Sequence, residues 1–89
     1  MVTQIIHLFV KDFAHWKSIH DSMHHVQEEH GLAKGHISVD PNDGNSITLI
    51  LEWNDAAQMQ AYFQLETVKD AMQRADITKP PVIQVLQPI

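Results

Sequence analysis

Residues 46–53, SITLILEW, alternate along an extended chain, with Ile47, Leu49, Leu51 and Trp53 on one side and Ser46, Thr48, Ile50 and Glu52 on the other. Successive strand side chains point to opposite faces, so the segment reads as a β-strand with one purely apolar face. Its second face is mixed: Ile50 stands among polar neighbours. A fold that accepts this strand must cover the first face fully and the second at least in part.

Three more segments carry the same requirement. Residues 3–10, TQIIHLFV, set Ile6, Leu8 and Val10 against Ile5, His7 and Phe9. Residues 35–40, GHISVD, set Ile37 and Val39 against His36, Ser38 and Asp40. Residues 82–87, VIQVLQ, are apolar on both sides apart from Gln84 and Gln87. PNDGN separates the second strand from the third and predicts a hairpin, with Pro41 pre-set for a turn and Gly44 free to take positive φ.

Helical patterns fill the two long intervals. Asp12 is the expected N-cap, its carboxylate accepting from the first free N–H groups of a helix that runs to about His30. Gly31 supplies the left-handed residue that stops it. Asp55 and Gln58 make a capping-box-like start for a second helical region to about Asp76, with Thr67 and Val68 marking a break within it. KPP then ends the helix, because proline has no N–H to continue it. The order β-α-β-β-α-β predicts an α+β fold in one domain, residues 1–89. A four-stranded antiparallel sheet carries both helices on one face, the ferredoxin-like or split βαβ arrangement. The face remote from the helices is then too apolar for water. Pairing sheet against sheet in a homodimer is the economical cover.

Composition removes several functions. The chain has 6 Lys+Arg against 11 Asp+Glu, a net charge of −5 with histidines neutral, which opposes a phosphate backbone; no nucleic acid partner is expected. SITLILEW also lacks the glycine–aromatic pattern of an RNA-recognition strand. There is no cysteine, so thiolate metal sites, disulfides and the Cys-x-x-Cys loop of a soft-metal chaperone are excluded. Apolar runs such as ITLIL are too short to span a bilayer, so no membrane partner is expected. MVTQIIHLFVKD does not look like a signal peptide, and a cytoplasmic location is the expectation.

HDSMHHVQEEH, residues 20–30, places four histidines in eleven residues. At 100° per residue, Phe13, Trp16, Ile19, His20, Met23, Val26, Gln27 and His30 share the stripe expected against the sheet. His24 sits at its border, and His25 points to water. A metal reading pairs His20 with His24 and adds Glu28, but a complete site needs ligands from elsewhere and no H-E-x-x-H pattern is present. Bound metal is therefore not expected. Trp16 and Met23 suit the core first and a cavity wall second. His20 is the best candidate for a catalytic residue, because burial beside Trp16 and Met23 favours a neutral imidazole able to accept a proton. The candidate pocket comprises Trp16, His20, Met23 and His24. His7, His36 and Thr48 join it if the mixed sheet face looks toward the helices; with the apolar face inward, those three move to the interface between protomers. No pair of carboxylates is placed for acid–base work, and Ser18, Ser38 and Ser46 lack a nucleophile-elbow context.

VKDFAHWKSIHD opening the first helix, DPNDGNSITLILEWND through the hairpin and VKDAMQRADI closing the second helical region together resemble the dimeric α/β-barrel superfamily. That group contains antibiotic-biosynthesis-monooxygenase-like and small polyketide-cyclase-like proteins. The resemblance covers nearly the whole chain, and the hairpin ending in EWND carries most of it. It implies a ferredoxin-like protomer, a barrel formed with a second copy, and a ligand cavity between each sheet and its own helices. The Asn, Trp and His set of the family's haem-degrading branch has no residue-by-residue match here, so no catalytic assignment carries over. The expected function is a small homodimer that encloses an apolar or aromatic molecule and, without a cofactor, oxidises, cyclises or isomerises it. The alternative is a non-catalytic binding or assembly module of the same fold.

Overall fold

A computed structural model describes residues 1–89 and shows eight elements: β1 (Val2–Phe9), α1 (Phe13–Ser22), α2 (His24–Glu29), β2 (Leu32–Asp40), β3 (Asp43–Trp53), α3 (Ala56–Gln64), α4 (Glu66–Arg74) and β4 (Val82–Leu86). The strands form one antiparallel sheet in the order β2-β3-β1-β4. This is the ferredoxin-like arrangement, with each helical region of the expected β-α-β-β-α-β order divided into two helices. No helix is long and apolar enough to cross a membrane.

The register settles which sheet face meets the helices. Ile6 lies opposite Leu49, Leu8 opposite Ile47 and Val2 opposite Trp53, and all six are buried. The purely apolar face therefore points inward, and most of the core lies between it and the helices. Gln4 is buried in the same layer without penalty, because its Oε1 accepts the Trp53 indole N–H at 3.1 Å. On the opposite face run Thr3, Ile5, His7 and Phe9 of β1 beside Glu52, Ile50, Thr48 and Ser46 of β3. β4 is an edge strand exposed along its whole length. Even Ile83, which pairs with the inward Ile6, is 52% exposed.

Local chemistry explains the element ends. Asp12 accepts from the His15 N–H at 2.9 Å and Asp55 from the Gln58 N–H at 2.7 Å, so both predicted N-caps are used. Gly31 has φ +86, and a Cβ there would also collide with the Gln58 side chain. The first helical region does not run unbroken to His30, however. The Ser22 hydroxyl donates to the Ile19 carbonyl at 2.6 Å, the acceptor that Met23 N–H would use in a continuing α-helix. Met23 N–H turns to the His20 carbonyl at 3.1 Å instead, and α1 ends.

Three further expectations are corrected. The break in the second helical region lies at Leu65 (φ −67, ψ 136), not at Thr67 and Val68. Restarting there places Val68, 2% exposed, on the core face and Glu66 in the first turn, where its charge suits the helix N-terminus. The same region ends at Arg74, before KPP, because Asp76 takes a left-handed φ of 55; Ile77 then bridges Val10. In the hairpin, Gly44 does not adopt positive φ. Pro41 and Asn42 make the turn, and Asp40 Oδ1 accepts the Asn42 N–H at 2.8 Å, so the chain is extended again by Asp43.

Candidate functional site

A cavity of about 110 Å³ lies between the sheet and the helices. Ile6 and Leu8 from β1 and Leu49 and Leu51 from β3 line its sheet side. Trp16, Ile19 and His20 of α1, Met23 at the helix break and Gln27 of α2 line one wall; Tyr62, Phe63, Val68, Ala71 and Met72 from α3 and α4 line the other. Both helix breaks thus fall within three residues of the lining. Met72, Ile77 and Pro81 also border a second, more open depression formed with Gln73 and residues 78–80, which places the rim on the side of α4 and the chain leading to β4.

Four of the lining side chains carry polar groups that can hydrogen-bond: Trp16, His20, Gln27 and Tyr62. No Asp, Glu, Lys or Arg is among them. The His20 ring stacks on the Trp16 indole with centroids 4.8 Å apart and planes 17° from parallel. Burial lowers its pKa from the ordinary 6.5; Asp21 works against the shift, whereas Lys17 and His24 add to it. His20 is consequently neutral at physiological pH, with a lone pair available on the ring. Burial pushes the Tyr62 hydroxyl pKa up, partly offset by the neighbouring Gln27 carboxamide. The arrangement suits a proton acceptor at His20 and a neutral hydrogen-bonding group near Gln27 and Tyr62, within hydrocarbon walls.

Of the residues expected in the pocket, Trp16, His20 and Met23 line the cavity. His24 does not. It is exposed on α2, its Nε2 2.9 Å from Glu28 Oε1 in an i, i+4 pair. The first helix ends between His20 and His24, and no group of three or more His, Asp or Glu side chains is placed to hold a metal ion. His7, His36 and Thr48 lie on the other side of the sheet. His7 Nδ1 and Thr48 Oγ1 hydrogen-bond at 3.1 Å, and Ser38 continues the row on β2. His36 stands beside Ile50, one row away. The inward preference of the apolar face separates these residues from the cavity.

Two of the remaining histidines are tied to structure. His15 Nε2–H donates to the Arg74 carbonyl at 2.7 Å and lies 3.6 Å from Asp76 Oδ2, while His30 Nδ1–H donates to the Val26 carbonyl at 3.0 Å. His25 is exposed. Gln27 and Tyr62 were missed as site residues. Gln27 already sat on the inward stripe, and Tyr62 three residues after Met59 gave the same signal on the second helical region. A buried amide and phenol at helical spacing were the available clues.

No protein-family model matches the chain, and no curated protein matches its sequence. Solved structures do match its fold. An antibiotic biosynthesis monooxygenase superposes with a TM-score of 0.83 at 14% identity, covering 100% of this chain and 99% of its own. SnoaB, a cofactor-independent oxygenase from Streptomyces nogalater, superposes at 0.84 with 12% identity, over 99% of this chain and 92% of its own. A conserved protein from Methanosarcina mazei Go1 reaches 0.82 at 12% identity, over 97% and 90%. The chain has the fold of antibiotic-biosynthesis-monooxygenase-like proteins, as its sequence resemblance implied.

Proposed function

We propose that this protein encloses an apolar or aromatic small molecule between its sheet and its helices, and that neutral His20 accepts a proton from it. The carrying observation is a half-buried imidazole of lowered pKa on the wall of a largely apolar cavity. Proton removal from a hydroxyl or an activated C–H is the step common to oxidation, cyclisation and isomerisation without a cofactor. The shared fold with a cofactor-independent oxygenase favours oxidation. In such an oxidation by this protein, the deprotonated substrate supplies the electrons and molecular oxygen accepts them. A CH2 group becomes C=O, one oxygen atom enters the product and the other leaves as water.

The working unit in this reading is a homodimer. Ile50, Val82 and Leu86 are exposed on the face away from the helices, beside the partly buried Ile5 and Phe9. A second copy laid sheet to sheet removes these side chains from water together and buries the His7–Thr48 row in the barrel. The modest cavity volume supports a second reading, a binding module without turnover.

Oxygen uptake with a panel of aromatic hydroxy compounds that carry an activated CH2 group, measured for wild type, His20→Ala and His25→Ala, tests the proposal. Uptake by wild type and His25→Ala, with a loss of at least about 100-fold in His20→Ala, matches the usual contribution of a general base. Binding without uptake in all three favours the module. Equal binding and turnover by folded His20→Ala removes His20 from the site.

A further inference from the structure

The cavity carries information about the size and charge of what enters it. An engineered dry cavity of about 150 Å³ in another protein takes up benzene, whereas pockets for drug-sized ligands run from about 300 Å³ upward. A partly open cavity of about 110 Å³ therefore matches a single ring, its substituent or edge reaching the rim. A fused second ring has no room unless the rim yields.

Charge narrows the class further. With no Asp, Glu, Lys or Arg on the lining, an ionic ligand would shed its hydration and meet no counter-charge. The polar groups present are an imidazole, an indole N–H, a carboxamide and a phenol, which match one or two neutral hydrogen-bonding groups. Rings are suited by the flat surfaces of Trp16, Tyr62 and Phe63.

Among the rim residues, Met72 is the one best placed to set the limit. It lines both the cavity and the adjoining depression, and it is 40% exposed, so its side chain stands at the boundary between them. Ile77 and Pro81 share the boundary, but Ile77 is fixed by its bridge to Val10 and Pro81 by its ring. Methionine is unbranched, and its removal opens the wall without disturbing the backbone.

We propose that the cavity selects an uncharged, single-ring aromatic bearing one hydroxyl group, and that Met72 is the residue that excludes a second fused ring. This rests on the cavity being a ligand site. The test is binding of phenol, 1-naphthol and benzoate at neutral pH by isotope-edited NMR, using wild type, Met72→Ala and Met72→Leu. Phenol should shift resonances of cavity residues in all three proteins, and benzoate should bind at least about tenfold more weakly. In wild type and Met72→Leu, 1-naphthol should bind at least about tenfold more weakly than phenol, and Met72→Ala should close that gap. Equal affinity of wild type for 1-naphthol and phenol, or a gap that survives Met72→Ala, overturns the assignment of the size limit while leaving the ligand site standing. Preferred binding of benzoate overturns the charge assignment in the same way. If none of the three probes shifts cavity resonances in any of the proteins, the ligand site falls with the proposal.

Discussion

Ala71→Leu puts the cavity itself to a test, first through stability and then through binding. Ala71 lies in α4, is 5% exposed and lines the space of about 110 Å³. Leucine adds three carbons. If each takes roughly the volume of one water molecule, about 30 Å³, the addition is within the space available. At about 0.8 kcal/mol per buried methylene the gain has a ceiling of about 2 kcal/mol. Immobilising the new side chain costs about 0.5–1 kcal/mol, leaving a net stabilisation of about 1–2 kcal/mol. A chain of this length converts that into a rise in Tm on the order of 5–10 °C. Thermal unfolding followed by circular dichroism reads the rise, and NMR titration with phenol should show binding largely abolished, because the leucine occupies the ligand's place. A fall in Tm would mean that the addition overpacks an interior already full, the usual cost being about 1–3 kcal/mol. That result, or a higher Tm with undiminished binding, would refute the assignment of the cavity as a ligand site.

Other consequences follow from individual contacts. Gln4→Leu leaves the Trp53 indole N–H without its buried acceptor and should cost about 1–3 kcal/mol in urea unfolding, whereas combining it with Trp53→Phe should recover part of that loss. His20 makes stability depend on pH with a definite sign. Its folded pKa lies below the unfolded 6.5, so the unfolded chain takes up a proton that the folded chain refuses, and stability should fall as pH drops below about 6.5. His20→Asn should remove that component, so the difference between wild type and variant in urea unfolding across pH 5–8 isolates it; a constant difference would contradict the buried neutral imidazole. Ile50→Asp, at an exposed position facing Ile5 across the outer sheet, should shift sedimentation toward the 10.2 kDa monomer, because an unpaired carboxylate in a sheet-to-sheet interface loses its hydration. A wild type that is monomeric at micromolar concentration would refute the dimer.

The strands carried most of the fold in their own pattern. Alternation in SITLILEW put Ile47, Leu49, Leu51 and Trp53 on one face, and the burial of those four residues follows from that period alone. Caps were equally legible, since Asp12, Asp55 and Gly31 act through backbone groups within a few residues. The break at Met23 was not. It depends on the Ser22 hydroxyl choosing the Ile19 carbonyl over solvent, a rotamer choice that spacing does not determine. Helical phase likewise brought His20 to the site but left His24 unresolved, because a continuous helix and a broken one place a residue past the break differently. The separation of His7, His36 and Thr48 from His20 turned on which sheet face meets the helices. The sequence posed that choice, and the burial of the apolar face decided it. Gln27 and Tyr62 meet only through the packing of two distant helices, and neither segment by itself announces the other.

The central claim is that His20 is a neutral imidazole inside a ligand cavity, and site-resolved NMR of the histidine rings tests it most directly. Seven imidazoles give seven titrations, assigned through single His→Asn variants. His20 should titrate below 6.5, and its ring resonances should move on addition of phenol. The resonances of His25, which is exposed, should stay in place during the same addition. A His20 that titrates at or above 6.5 and ignores the probe, while the protein remains folded, would contradict the account.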